Sequence, residues 1–230
     1  LSGDRLYSGQ SDTAGAYTVT QVLAGDYTLT PTKSDEVDGI TAYDASLALQ
    51  HDAGLASLSG HAWTAADVDD SDAVTAMDAF YMLQKAAGLI DVPFEGAGRV
   101  WDFAPQSREY VGLGSDVGGQ DFVAILLGDP SGNWTPPGTL VLMRSDTQAV
   151  IRIEDAEPDA SGRVTTTVSL DPQGAQVYGI DLALAYDEAA LTPLTVTLGS
   201  LAQGWMSAVN LGSVGEIHVS LAGAQPLAEA

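Results

Sequence analysis

The chain has 230 residues, 45% of them hydrophobic, which is enough to bury the core of one large domain or of about two to three small ones. Its 31 acidic and 8 basic side chains give a formal charge of −23, which argues against nucleic acids and anionic membranes as partners because both are bound through clusters of Lys and Arg. The absence of cysteine excludes disulfides, thiolate metal sites and cysteine nucleophiles.

The first 32 residues have the pattern of a β-hairpin. Polar and apolar residues alternate over 16–21 and again over 26–32, and residues 23–25 fit the turn between them. We therefore predict two paired strands at the start of the chain.

An internal duplication follows. Residues 40–55 and 74–89 share Thr, Ala, Asp, Ala, Leu, Gln, Ala, Gly and Leu in register when the sequence is shifted by 34 positions. Each copy predicts an amphipathic helix, at 42–53 and at 76–87, which begins after a Thr and ends before a Gly. The segment between the copies, around Trp63, is predicted to be a packing connector.

The second copy is preceded by the pattern of a calcium loop. Calcium takes six to eight oxygen ligands, which an EF-hand-type loop supplies from its positions 1, 3, 5, 7, 9 and 12. The residues at these positions are Asp67, Asp69, Ser71, Ala73 (through its carbonyl), Thr75 and Asp78. Asp72 stands where the EF-hand has glycine, and Asp tolerates the positive φ of that turn better than most residues. The loop therefore predicts one bound Ca²⁺.

The first copy of the loop, residues 33–44, is degenerate. Lys33 and Val37 occupy positions 1 and 5, where oxygen ligands are required. The remaining candidate ligands are Asp35, Asp38, Thr41 and Asp44. A second Ca²⁺ held by a rearranged loop and a solvated turn with helix-capping residues are both open interpretations.

Residues 33–96 resemble a dockerin, because both copies end in the motif TAxDA…LQ…AGL. The resemblance implies a small module that folds with calcium and binds a cohesin-type protein in extracellular assemblies. Dockerins of cellulosomes often carry hydroxyl residues directly after the ninth loop position, whereas here these pairs are Ala42 with Tyr43 and Ala76 with Met77. The identity of the partner is therefore open.

The flanks of this module resemble the two halves of one sandwich. Residues 1–32, together with WDFAPQSREY at 101–110 and GQDFVAILL at 119–127, are similar to the carboxypeptidase-regulatory-like or Cna-B-like family. This implies a β-sandwich with halves at 1–32 and 97–128 and the dockerin-like module inserted between them, as exposed loops tolerate. The alternative is that both flanks are independent strands packed on the helices.

Residues 129–146 are predicted to form a linker that begins with a turn-rich segment, DPSGNWTPPG. Asp129, Ser131 and Asn133 have the alternating oxygen spacing of half a calcium loop. Neither a helix nor an acidic residue at position 12 follows, so the pattern favours a simple turn.

The remaining residues, 147–230, are predicted to be a β-sandwich. Strands are expected at 149–153, 163–170, 178–186, 194–198 and 216–221. The segment resembles the first part of a cohesin, including the Y-D-x-x-x-L turn at Tyr186, Asp187 and Leu191, whereas the later strands of that family do not follow. We therefore expect residues 139–230 of one copy to pack against, or supply strands to, the sandwich of the next copy, unless a longer precursor contains the missing strands.

No catalytic motif occurs. The sequence has no Walker loop, dinucleotide fingerprint, HExxH or GxSxG, and its three histidines are scattered. The longest apolar run, 122–127, is far shorter than the roughly 20 residues of a spanning helix. The chain also begins without a signal peptide or an initiating Met, as a processed piece would.

Together these patterns predict a mainly β protein with a small α insertion, made of β-sandwich modules and one paired loop-helix module. The predicted function is that of a non-catalytic, calcium-stabilised assembly protein at the cell surface or outside the cell. Its partner would be a cohesin-type protein or another copy of itself, in a homo-oligomer or filament. Two alternatives are a scaffold fragment that recruits polysaccharide-degrading enzymes and a carbohydrate-binding module using Trp63, Trp101, Trp134 or Trp205.

Overall fold

The computed structural model describes residues 1–136 and 149–227, and the described protein is mainly β with a small helical part, as predicted. Its helices are α1 (Ala42–Asp52), α2 (His61–Ala66) and α3 (Ala76–Ala86), with a 3₁₀ turn at Ser200–Ala202. Its strands are β1 (Ser2–Gly3), β2 (Gly25–Leu29), β3 (Trp101–Ala104), β4 (Arg108–Leu113), β5 (Val123–Leu126), β6 (Val150–Ile153), β7 (Val168–Asp171), β8 (Gly179–Ala185), β9 (Met206–Asn210) and β10 (Glu216–Ala222).

The N-terminal sheet joins strands from both sides of the helical segment. Its order is β1-β2-β4, and β2 pairs antiparallel with β4 so that Tyr27 lies opposite Tyr110. The chain therefore leaves this sheet after β2, forms the helices, and returns to the same sheet. The predicted strand at 16–21 is wrong, because β1 and β4 occupy both edges of β2 and leave no edge for it.

The helices and the β3-β5 pair enclose the main core. The predicted helices are confirmed, since α1 and α3 each begin at the expected residue and end one residue early. The largest buried apolar side chains come from α3 and from the segments that pack on it, namely Met82, Leu83, Phe94 and Leu127. The connector around Trp63 is itself helical, as α2.

The C-terminal half forms the β6-β7 pair and a three-stranded sheet of order β8-β10-β9. The strand predicted at 194–198 is wrong and β9 was not predicted. The centre of this sheet is β10, and β8 and β9 occupy its two edges, so 194–198 has no edge of β10 to join. The three-stranded sheet packs on α1 and α3 of its own chain.

None of the helices in the described ranges has the length and apolarity needed to cross a lipid bilayer.

The core makes a first prediction about stability. Leu127 is fully buried in the main core, whereas Leu6 is 83% exposed. Leu127→Ala should lower the free energy of unfolding by about 2–5 kcal/mol because it leaves a cavity. The same change at Leu6 should alter it by less than about 0.5 kcal/mol. Urea unfolding of the two variants measures both values, and equal losses would contradict this packing.

Candidate metal centre

Three acidic residues of the second predicted loop converge. Carboxylate oxygens of Asp67, Asp69 and Asp78 all lie within 4.8 Å of one another. Asp78 is fully buried and Asp67 is 7% exposed. Ligands from loop positions 1, 3 and 12 are therefore brought together in space, as the spacing predicted.

Backbone amides hold this loop around its first aspartate. The Asp67 carboxylate accepts hydrogen bonds from the amides of Ser71 (3.0 Å) and Asp72 (3.0 Å). The chain can turn this tightly because Asp70 and Asp72 adopt positive φ, of 60° and 63°. The positive φ expected of Asp72 is thus confirmed.

The first turn of α3 supplies Asp78. One of its oxygens, Oδ2, accepts hydrogen bonds from the amide (2.8 Å) and the hydroxyl (3.0 Å) of Thr75, which caps the helix. The other oxygen, Oδ1, accepts the amide of Val68 (2.9 Å) from the loop. Asp78 therefore fastens the loop to the start of the helix.

Of the three other predicted ligands, Thr75 uses its hydroxyl to cap α3, which leaves the Ser71 side chain and the Ala73 carbonyl. They lie next to each other, because the Ser71 hydroxyl donates to the Ala73 carbonyl oxygen at 3.2 Å. The chemistry of the whole donor set is that of hard oxygens, which suits Ca²⁺.

The electrostatics of this group are those of crowded negative charge. Burial and the neighbouring carboxylates raise the pKa of Asp67 and of Asp78. The basic side chain next to the loop is Arg99, but its guanidinium pairs with Asp70 (2.9 Å) and Asp102 (3.2 Å). Asp70 is not one of the converging acids, so within the described residues Arg99 is engaged outside the group. A divalent cation would compensate the three carboxylates.

The first predicted loop is not assembled. Lys33 forms ion pairs with Asp35 (3.0 Å) and with Glu36, and Asp35 and Asp38 are exposed. Lys33 also lies over the ring of Trp101, at 5.2 Å from its centre. The cation at loop position 1 thus attracts the nearby acids, and Asp35 and Asp38 do not join Asp44 in a metal-sized group of the described residues.

Asp44 instead meets the turn that follows β5. Its Oδ2 accepts the amide (2.9 Å) and the hydroxyl (2.7 Å) of Thr41, and its Oδ1 accepts the amide of Ser131 (3.1 Å). In that turn the Asp129 carboxylate accepts the amides of Asn133 (3.1 Å) and Trp134 (2.9 Å). Asp44 and Asp129 are both buried.

This arrangement repeats the main hydrogen bonds of the second loop. Asp67 and Asp129 each accept amides from the residues four and five positions later. Asp78 and Asp44 each cap a helix with one oxygen and hold a loop amide with the other. In the second loop this amide is that of Val68, one residue after Asp67. In the turn it is that of Ser131, two residues after Asp129, because Pro130 has no N–H.

Gly39 allows the turn to approach α1. A side chain at Gly39 would place its Cβ 2.9 Å from the Cβ of Trp134 and 3.3 Å from Oδ1 of Asn133. Gly39 corresponds to Ala73 in the 34-residue repeat. The turn 129–134 thus lies where the degenerate half of the first loop would be expected.

The sequence contained the signal for this second group, but in two separate pieces. The alternating oxygens of Asp129, Ser131 and Asn133 were visible, and the missing acid at position 12 is Asp44, whose contact with Ser131 spans 87 residues of sequence. Burial, together with repulsion from Asp129, raises the pKa of Asp44 to about 6. Among the described residues, the hydrogen bonds of Asp44 and Asp129 come from amides and hydroxyls and not from a basic side chain.

Comparisons with protein-family models, with curated proteins and with solved structures found no match to this chain. The dockerin-like, cohesin-like and sandwich resemblances therefore stay predictions.

The geometry of the second loop predicts different effects for two changes that remove the same charge. Asp78→Asn removes a ligand, so Ca²⁺ affinity should fall by at least about tenfold, or 1.4 kcal/mol. Asp72→Asn removes a charge from the same loop but no ligand, and Asn also tolerates positive φ, so affinity should change by less than about threefold. Calorimetric titration with CaCl₂ measures both values. Equal losses would show that affinity follows net charge rather than coordination.

Proposed function

We propose that this chain is a non-catalytic, calcium-stabilised structural protein of an assembly at the cell surface or outside the cell. The observation that carries the proposal is the convergence of Asp67, Asp69 and Asp78 at the start of α3. Ca²⁺ bound there would neutralise crowded carboxylates and fix the loop to the helix that it precedes. Extracellular modules commonly use such loops at millimolar or submillimolar calcium.

A second Ca²⁺ belongs to the group around Asp44 and Asp129. The ligands of this proposed site differ from the set predicted for residues 33–44. From that set only Thr41 and Asp44 belong to the group. Support comes from the repeated hydrogen bonds and from the burial of two carboxylates without a basic partner among their described hydrogen bonds. Buried charges are normally paired or bound to a metal. The Ser131 hydroxyl, which donates to Asp129 at 2.9 Å, adds a neutral oxygen to the same group.

The proposed role is attachment between chains, with a cohesin-type protein or a second copy as partner. The charge of −23 makes repulsion between copies strong, and bound divalent cations reduce it. The tryptophans favour this role over carbohydrate binding, because Trp101 is buried edge to face with Trp134, while Trp63 packs against the core. These three tryptophans therefore serve the interior rather than a shared sugar platform.

Calcium should stabilise the chain measurably. At a free concentration about one hundred times the dissociation constant, each site contributes about 2.7 kcal/mol. The melting temperature should therefore fall when EGTA replaces CaCl₂, while MgCl₂ should restore it only in part, because Mg²⁺ demands a stricter octahedral geometry. An unchanged melting temperature would refute the proposal and leave the acids as helix caps.

The second site can be tested by counting ions. Asp44→Asn with Asp129→Asn should reduce the stoichiometry of Ca²⁺ binding from two to one, because the second loop is left intact. The control is Asp116→Asn with Asp155→Asn, which removes the same charge from two exposed positions and should keep two ions. Native mass spectrometry after calcium loading gives the count. A stoichiometry of one in the unchanged chain would remove the second site from the proposal.

A further inference from the structure

A segment that follows α3 lies against the outside of the second predicted loop. Residues 96–99 lead from the helical part of the chain into β3, which begins at Trp101. They contact the loop at Asp69 and Asp70, its third and fourth positions. Arg99 comes 29 residues after Asp70, so this contact joins the loop to a part of the fold that forms after the helices in the chain.

Gly96 allows the segment to come this close. A Cβ at Gly96 would overlap the backbone carbonyl oxygen of Asp69 and lie 3.2 Å from its carbonyl carbon. Gly96 also has a φ of 101°, a conformation that residues with a side chain rarely adopt. Since Asp69 supplies one of the three converging carboxylates, the segment packs directly behind a proposed ligand.

Arg99 binds the next residue of the loop through two hydrogen bonds. Its Nη2 donates to Oδ1 of Asp70 at 2.9 Å, and its Nη1 donates to Oδ2 at 3.2 Å. Because the guanidinium group is a planar and rigid fork, a pair of bonds of this kind fixes both the position and the orientation of the carboxylate. The fourth position of the loop is therefore held from outside.

Arg99 is itself fixed to the strand pair β3-β5. Its Nη2 also donates to Oδ2 of Asp102 at 3.2 Å, and its Nη1 donates to the carbonyl of Ala97 at 3.2 Å. Asp102 lies in β3, is 9% exposed and accepts the amide of Phe103 at 2.8 Å with its other oxygen. Since β3 pairs with β5 and contributes Trp101 to the main core, Arg99 connects the loop to that core.

We propose that Arg99 is a positioning residue of the calcium site, which holds the loop in its binding conformation before the ion arrives. Its described ion pairs are with Asp70 and Asp102, and neither belongs to the converging carboxylates, so Arg99 acts on the ion only through the loop. A loop that is already ordered loses less conformational freedom on binding, and this difference appears as affinity. The inference rests on the proposed function, because it assigns a role within that site.

Electrostatics alone would give Arg99 the opposite effect. A fixed positive charge close to the loop repels Ca²⁺, so removing that charge should raise the affinity. Positioning predicts that removing Arg99 lowers the affinity instead. The sign of the change in Arg99→Gln therefore separates the two effects. Arg99→Lys separates them again, because lysine keeps the charge but lacks the fork.

NMR of the full chain can follow the amides of Ser71 and Asp72 while CaCl₂ is added. Both amides bond Asp67, so they report on this loop and not on the second group. Arg99→Gln and Arg99→Lys should each weaken binding by about threefold to fivefold, the upper range for a partly exposed ion pair. Arg163→Gln removes the same charge from an exposed position of the C-terminal half and should leave the affinity unchanged.

Hydrogen exchange in EGTA gives a readout that needs no ion. The Ser71 amide should exchange about threefold faster or more in both Arg99 variants, because the metal-free loop is then less ordered, and at an unchanged rate in Arg163→Gln. Melting separates positioning from a general effect on the fold. A residue that only stabilised the fold would lower the melting temperature equally in CaCl₂ and in EGTA, whereas a positioning residue lowers it more in CaCl₂.

The role of Arg99 is overturned if the affinity for calcium rises or stays the same in folded Arg99→Gln, or if Arg99→Lys binds as the unchanged chain does. Arg99→Lys decides the question by itself should Arg99→Gln fail to fold. Normal binding that neither variant weakens refutes only the positioning role. If CaCl₂ leaves the Ser71 and Asp72 amides of the unchanged chain unshifted, the proposed function is refuted together with it.

Discussion

The structure depends on a carboxylate buried at the start of each long helix. In Asp44 and in Asp78, one carboxylate oxygen accepts a hydrogen bond from the threonine that precedes the helix. The other oxygen accepts a hydrogen bond from an amide of a loop or turn. A buried charge in this position is stable only when its hydrogen bonds and its counter-charge are both supplied. The hydrogen bonds are present in both cases. The need for the counter-charge is what turns a helix cap into a candidate calcium ligand.

The two copies of the duplication meet this need in different ways. In the second copy, Asp67 and Asp78 lie within one continuous segment, so the loop can form locally. In the first copy Lys33 has replaced the acid at position 1, and the turn 129–134 supplies its equivalent after the chain has passed through α3 and β5. The start of α1 is consequently built from long-range contacts, whereas the start of α3 is built within one segment.

The features that the sequence predicted well are those encoded by neighbouring residues. The helices follow from periodicity and capping, and the positive φ of Asp72 follows from loop spacing. Pairing between distant segments has no such local signal. Residues 16–21 alternate like a strand and still form none, because β1 and β4 already occupy the edges of β2. The partner of Asp44 was missed for the same reason, although Asp129, Ser131 and Asn133 carried half of the pattern.

The sheet and the metal centres act on the same end of α1. Asp181 bonds the amide of Ala42, the residue directly after Thr41, whose amide and hydroxyl bond Asp44. The sheet therefore holds the first amide of α1 through Asp181, while the turn 129–134 is held by the helix cap Asp44 through the amide of Ser131. Two segments that are distant in sequence thus fix the same helix end from different directions. The start of α1 consequently depends on the rest of the fold, whereas the start of α3 is held by the loop that directly precedes it.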